Sequence, residues 1–299
     1  MSDAPILIAS VSGGKDSAAL CLHLRELGLP HQRVFMDTGW EHPALYEHLD
    51  YLEAELGPIT RLSPRIPDLP AEFMPRVLGI EALVGVSPSA MVRWAVYKGM
   101  FPSRVRRYCT QELKIRPFLA FCEALDADII NAVGIRAAES QARATMPERE
   151  IMRGADYIEV WRPLIRWSEQ DVIDIHARHN LRPCPLYLAG ATRVGCWPCI
   201  MSNKGELEAL GRDDRRVEAI RQLEALVGDM AEGRGSARPV MFQAPRIAGD
   251  DDRKGWPIED VIAWAQTARG GRQTMLDPAW GREDGCVRWG MCDTGGSDV

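Results

Sequence analysis

Ser12-Gly13-Gly14-Lys15-Asp16-Ser17 follows directly on the apolar run Ile6-Leu7-Ile8-Ala9-Ser10-Val11. In that order a chain closes a short buried strand, turns tightly on glycine and opens a helix at about Asp16. Glycines let backbone N–H groups approach an anion because no Cβ stands in the way. The helix N-terminus adds a partial positive charge and Lys15 a full one. The six residues therefore predict a phosphate cradle and a nucleotide or other phosphate-bearing ligand. They do not fit the G-x-x-x-x-G-K-[ST] loop, whose glycines are spaced apart.

Further residues able to do chemistry follow at the ends of apolar segments. Asp37 lies in Phe35-Met36-Asp37-Thr38-Gly39-Trp40-Glu41-His42-Pro43. Ligands of open parallel sheets sit beyond the carboxyl ends of the strands, so Asp37 and Ser12 are expected at one crevice. There Asp37 could bond a ribose or adenine edge, hold Mg²⁺, or serve only as a cap before Pro43. Gly134-Ile135-Arg136-Ala137-Ala138-Glu139-Ser140-Gln141-Ala142-Arg143 also follows an apolar run. Arg136 and Arg143 could neutralise a polyphosphate or sulfate together, or lie on an ordinary surface helix. The eight cysteines are unevenly spaced and include Cys196-x-x-Cys199, which favours metal, cluster or redox chemistry over a secreted disulfide framework. Cys21 and Cys122 fall among apolar helical positions and are expected in the core. His176 and His179, three apart, read as a half-exposed helix face rather than a metal pair. Trp40 and Trp197 stand beside motif residues, where one of them could line a nucleotide pocket.

The six-residue loop resembles the pyrophosphate-loop (PP-loop) signature of the ATP pyrophosphatase superfamily, whose members cleave ATP between the α- and β-phosphates. The ordered set of motifs from about residue 5 to about residue 205 resembles the phosphoadenosine phosphosulfate reductase family within that superfamily. Asp37 to Pro43 matches its D-T-G-x-x-x-P stretch. Cys109 with Lys114 and Pro117 matches a cysteine before K-x-x-P. Gly134 to Arg143 matches G-x-R-x-x-E-S-x-x-R, and Gly195 to Cys199 matches G-C-x-x-C. The resemblance implies an adenine-nucleotide α-hydrolase-like fold: a doubly wound, mainly parallel α/β sheet.

Two departures bear on activity. Sulfonucleotide reductases usually carry a degenerate phosphate loop, whereas Lys15, Asp16 and Ser17 are all present here. Those reductases also end in an E-C-G-L-H-type tail, absent from this chain; Cys286 and Cys292 lie in a different context. The resemblance thus implies first an ATP α-hydrolase that makes AMP and pyrophosphate with Mg²⁺, coupled to adenylation and sulfur transfer. Lys15, Asp16, Cys109, Lys114, Arg136 and Arg143 would act in catalysis. Ser12 to Ser17, Asp37, Gly134 and Arg136 would hold the nucleotide. Second comes a thiol-dependent sulfonucleotide reductase releasing sulfite, with thioredoxin or another sulfur partner. Third comes a nucleotide-binding accessory protein, because similar proteins occur in phage genomes, DNA sulfur-modification sets and beside CRISPR systems. Cluster-bearing relatives use a Cys-Cys pair and a later C-x-x-C. Tyr108 replaces the first of these, leaving Cys109, Cys196 and Cys199, with Cys292, Cys286 or Cys184 as a fourth ligand, or none. A [4Fe–4S] cluster, zinc and plain thiols all remain open.

The positioning elements read as an alternation. Strands are expected at 5–11, 33–36, 59–62, 129–134 and 157–161. Helices are expected at 16–28, 43–56, around 70–79 and 88–99, at 111–125 with a kink at Pro117, at 168–180 behind a Ser168-x-x-Asp171 capping box, at 205–230 and at 256–268. The opening βαβαβ order implies a parallel sheet with right-handed crossovers. A nucleotide-binding domain over 1–205 and a helical extension with a flexible cysteine-containing tail over 206–299 follow.

With 299 residues, 46% hydrophobic and 26% charged, the composition is that of a globular chain. The net charge of −6 gives no overall signal for nucleic acid. Local basic runs at Arg104-Val105-Arg106-Arg107 and Arg215-Arg216 are either solvated faces or nucleic-acid contacts for an acceptor. No stretch reaches membrane-span length and no signal peptide is evident, so a cytoplasmic protein without membrane contact is expected. A homodimer is compatible with the fold.

Overall fold

The computed structural model describes residues 4–243 and 255–267. The chain begins β1 (Ile6–Val11), α1 (Lys15–Glu26), β2 (Gln32–Met36), α2 (Pro43–Leu56) and β3 (Ile59–Leu62). It continues through α3 (Met74–Val84) and α4 (Ala90–Lys98) to a helical stretch formed by α5 (Tyr108–Thr110), a π-turn at Gln111–Ile115 and α6 (Arg116–Glu123). Then come β4 (Ile129–Val133), α7 (Gln141–Ala144), β5 (Arg149–Met152), β6 (Ala155–Trp161), α8 (Glu169–Arg178) and α9 (Pro185–Leu188). The last elements are α10 (Lys204–Leu210), α11 (Asp214–Glu232), β7 (Phe242–Gln243), β8 (Gly255–Trp256) and α12 (Ile258–Ala265).

Six strands form one sheet in the order β3-β2-β1-β4-β6-β5, parallel except for β5 at the edge. The chain moves outward from β1 through β2 to β3, then returns to add β4 and β6 on the other side. The strand order thus reverses between β1 and β4, and the turns after these two strands flank the switch point where α/β sheets bind ligands. Alternation along the strands fills both faces. Ile8, Val34, Ile129 and Ile158 pack toward Phe118 of α6, while Ala9 and Val11 pack with Leu20 of α1 and Leu45 and Leu49 of α2.

A third core is helical. Val77 and Ile80 of α3 and Val92 and Ala95 of α4 meet Ile220, Leu223 and Val227 of α11. The helices after residue 204 therefore share a core with the segment inserted after β3. Glu224, buried in α11, accepts hydrogen bonds from the N–H groups of Met241 and Ile258 and so ties the start of α12 to this layer.

Several elements depart from the sequence expectations. The expected 205–230 helix is two, because Asp213 caps α11 by accepting from the Arg216 N–H. The helical stretch through Pro117 is interrupted by the π-turn Gln111–Ile115 directly before it, which leaves Pro117 in the first turn of α6 where its missing N–H costs little. β5 was not expected, and its Arg149-Glu150-Ile151-Met152 sequence is that of an exposed edge strand with charged side chains. Ser168 and Asp171 do form their capping box. Cys286, Cys292 and the expected tail lie outside the described residues. Among the described residues no helix is long and apolar enough to cross a membrane.

One buried group makes this core sensitive to acid. His48 of α2 is 6% exposed and stacks on Tyr51. Burial, reinforced by His176 and Arg182, pulls its pKa from 6.5 down to about 4. The unfolded chain takes up this proton below about pH 6.5, while the folded chain refuses it until about pH 4. The contribution is therefore complete above pH 6.5 and is lost as pH falls through this window, on the order of 3 kcal/mol at the limit. Thermal melts between pH 7 and 4.5 should show a steeper fall in Tm for the wild type than for His48→Gln. Parallel curves would contradict the assignment.

Candidate functional site

The expected site residues assemble into two groups at the carboxyl ends of the parallel strands. The first surrounds the turn after β1. Ser17 Oγ donates to the Gly14 carbonyl at 2.9 Å and accepts from the Ser12 N–H at 3.1 Å, so the turn is closed by the first helical residues themselves. Gly13 has φ +74°, and a Cβ there would lie 2.3 Å from Leu45 Cδ1. The Lys15 N–H donates to Tyr187 Oη at 3.3 Å, and the Lys15 ammonium lies 4.9 Å from the centre of that ring. Lys15 is itself buried, with Asp16 at 3.6 Å and Glu169 at 3.5 Å.

The turn after β4 closes the same site. A Cβ on Gly134 would fall 2.6 Å from the Asp16 carbonyl oxygen and 2.8 Å from its carbon, so this backbone approach admits only glycine. Two residues on, buried Arg136 donates through Nε to Asp16 Oδ1. The Arg136 N–H is held by Glu139 at 2.9 Å. Glu139 also pairs with Arg143, which is half-exposed on α7 and outside the Arg136–Asp16 pair.

The second group is sulfur-rich. Cys199, after α9, lies within electrostatic reach of both Cys109 on α5 and Cys196, and Lys114 in the π-turn within reach of all three. Burial pushes the Cys196 thiol up to about 11, with Lys114 opposing the shift. Burial and then Cys199 raise Cys109. Lys114 is raised, most strongly by Cys196 and further by Glu41. Cys184 lies apart, fully buried in the core beneath α1 and α2, and Cys21 and Cys122 are core residues as expected. Three soft thiols suit iron–sulfur or zinc by chemistry. Yet among the described residues no three His, Cys, Asp or Glu side chains are arranged to hold a metal ion. The residues present do not by themselves form such a site, and no chemical step is assigned to one.

The loop after β2 joins the two groups. Tyr46 donates its hydroxyl to Asp37 Oδ1 at 2.7 Å and lies 3.1 Å from Glu41 Oε2. Burial and these two carboxylates raise the Tyr46 pKa. Asp37 Oδ1 also accepts from the Gly39 N–H, so Asp37 folds its own loop; the cap before Pro43 is His42, which accepts from Ala44. Buried Glu41 accepts from Thr38 Oγ1 at 2.6 Å and from the Trp40 N–H at 3.0 Å, and its Oε1 lies 4.0 Å from Cys196 Sγ. Glu41 and Cys196 are also bridged through their backbones.

Trp40 does not line a pocket. It is 1% exposed, donates Nε1 to the Pro198 carbonyl and carries the Arg216 guanidinium 4.8 Å from its ring centre. Arg216 is likewise no solvated charge: it is 3% exposed and donates to the Glu41 carbonyl. His176 is buried with Nδ1 at the Val172 carbonyl, while His179 pairs with Glu26, so the two do not share a metal-like site. Sequence reasoning missed Tyr187, Glu169, Tyr46 and Glu41 as site residues. Glu41 falls inside the Asp37 to Pro43 stretch, but only the fold shows what it contacts.

The chain is similar to several known proteins. The sequence profile of the Phosphoadenosine phosphosulfate reductase domain matches residues 6–202. The chain is 32% identical to the "Uncharacterized 37.8 kDa protein in gpa 5'region" of Escherichia phage 186, over 98% of both chains. It is 27% identical to adenosine 5'-phosphosulfate reductase of Allochromatium vinosum, over 64% of this chain and 67% of that one. Among solved structures it is similar to phosphoadenylyl-sulfate reductase from Candida auris, with a TM-score of 0.47 and 18% identity over 66% of this chain and 83% of that one.

The packing of Gly134 against Asp16 yields a direct test. Gly134→Ala should cost about 2 kcal/mol, as for other substitutions that overpack a close contact, and lower Tm by roughly 3 °C. A melt within 1 °C or so of wild type would show that the loop does not depend on this contact.

Proposed function

Because the chain belongs to the phosphoadenosine phosphosulfate reductase family, we propose that it is an adenine-nucleotide α-hydrolase acting on ATP, coupled to adenylation and sulfur transfer. The observation that carries this reading is the closed Ser12–Ser17 turn, an intact cradle at the sheet's switch point with the α1 N-terminus behind it. An acceptor oxygen attacks the α-phosphorus; the α–β bridging P–O bond breaks, and its electron pair leaves with pyrophosphate. Backbone N–H groups and Lys15 stabilise the charge gathering on that leaving group. Lys15 exchanges its contact with Glu169 for phosphate oxygen, while Arg136 keeps Asp16 from repelling the nucleotide. Mg²⁺ takes few protein ligands beside substrate phosphates; half-buried Asp37 at the end of β2 is suited to be one, and the ion would supply further charge neutralisation. A sulfur nucleophile then replaces the adenylyl oxygen on the acceptor as AMP departs. Cys109, Cys196 and Cys199 are the candidate carriers of that sulfur, with Lys114 stabilising a thiolate.

A second reading is favoured by the same thiols and by the name of the Allochromatium relative. A thiolate would attack the sulfur of a sulfonucleotide, breaking its S–O bond to the phosphate and releasing the nucleotide. A second thiol would then form a disulfide and free sulfite, and an external dithiol such as thioredoxin would restore the thiols.

With no other acceptor present, water attacks the α-phosphorus, so anaerobically purified protein should convert ATP with Mg²⁺ to AMP and pyrophosphate in equal amounts. Lys15→Ala should lower the rate about 10²–10³-fold, the usual effect of removing one charge-stabilising group. Sulfite from a sulfonucleotide without AMP from ATP would establish the second reading instead. ATP binding without turnover would indicate an accessory protein. Iron, zinc and sulfide analysis of the same preparation determines whether the thiols carry a metal.

A further inference from the structure

We propose that the cavity beyond β3, together with the Arg104–Arg107 segment, is a binding site for single-stranded nucleic acid, with one base held in the cavity. The cavity measures about 880 Å³, within the roughly 300–1,000 Å³ range of small-ligand pockets. Its walls come from the end of β3, from α4 and from the outer face of the π-turn and α6. It therefore opens one helical turn along from Cys109 and beside the Asp37 loop, whose Asp37 N–H donates to the Leu62 carbonyl.

Aromatic rings line the cavity. Trp94 and Tyr97 meet edge to face with centroids 5.6 Å apart, and Phe121 faces in from α6. Tyr97 is 46% exposed, so one face of its ring is open to solvent. Trp94 is fixed by its Nε1 bond to the Arg65 carbonyl and by Lys98, which lies 4.8 Å from its ring centre. Such rings offer stacking faces to any base.

The cavity wall itself carries charge of both signs, Arg65 and Arg116 with Asp68 and Glu112, and the unbalanced positive charge lies on the neighbouring loop. Lys98 also contacts Glu112 at 3.4 Å and lies over the Tyr108 ring, so the loop joining α4 to α5 begins and ends at the cavity. That loop carries Arg104, Arg106 and Arg107, all exposed. Among the described residues none of these three, nor Arg65, has a carboxylate within ion-pair distance, whereas Arg116 is balanced by Glu112. Three neighbouring uncompensated guanidiniums, in a chain of net charge −6, complement a phosphodiester backbone. The bases of a duplex are not free to enter a pocket of this kind, whereas those of a single strand are. As the acceptor of the adenylyl chemistry, such a strand rests on the function proposed above; its binding does not.

The test is fluorescence anisotropy with labelled 12-nucleotide strands of DNA and of RNA, and with the corresponding DNA duplex, over a range of salt and without ATP. The full-length protein should bind at least one single strand more tightly than the duplex. Tyr97→Ala should weaken that binding about tenfold, the loss of one stacked base. Arg104→Ala/Arg106→Ala should reduce the slope of log affinity against log salt by about 1.4, two phosphate contacts on a single strand. Absence of strand binding, or equal binding of strand and duplex by wild type and both variants, would overturn the proposal. Pyrophosphate release without any strand is scored separately, so a failure of the ATP reading is not mistaken for a failure of this one.

Discussion

The site depends on one backbone contact, the approach of Gly134 at the end of β4 to the carbonyl of Asp16 at the start of α1. It is made possible by the reversal of strand order between β1 and β4, which puts the two turns side by side. With no side chain between them, the first turn of α1 is fixed against the sheet and its N–H groups keep one direction. Arg136 then reaches Asp16 from the same turn. The covalent chain itself thus holds these donors rigid, which is what the proposed phosphate cradle needs, since its donors must not reorganise when charge arrives.

The second group of residues is held to the first by a lattice of buried polar contacts. Tyr46 spans Asp37 and Glu41, and Glu41 faces Cys196. Behind them Arg216 of α11 lies against Trp40, and Asp213 accepts from the Trp197 indole. The helical layer therefore does more than extend the six-stranded sheet. It fixes the Cys196–Cys199 loop against the loop after β2, at the cost of burying an arginine whose pKa falls to about 10 through desolvation. A charge so deep is expensive; the carboxylates of Asp213 and Glu41, the Glu41 and Val84 carbonyls and the face of Trp40 offset it.

Much of this was legible in the sequence because the signals are local. Strand, glycine turn and helix are adjacent at residues 6–26, and the strands at 32–36 and 129–133 announce themselves by their apolar residues. Gly134 and Arg136 could be assigned to the crevice by position after a strand. What was not legible depends on distant partners. Arg216 reads as a surface charge until the fold sets it on Trp40, and Tyr187 becomes part of the loop only because α9 returns across Lys15. β5 has the composition of exposed coil and is strand only because β6 offers an edge. Arg143 matches a motif, yet its local partner Glu139 claims its charge.

The central claim is that the Ser12–Ser17 turn receives the phosphates of ATP. A crystal of the full chain grown with a non-hydrolysable ATP analogue and Mg²⁺ addresses it most directly. The account predicts phosphate density within hydrogen-bond distance of the loop N–H groups and of Lys15, with the nucleoside toward Asp37. A loop empty of phosphate, with the nucleotide bound elsewhere on the sheet or in the helical layer, would contradict it.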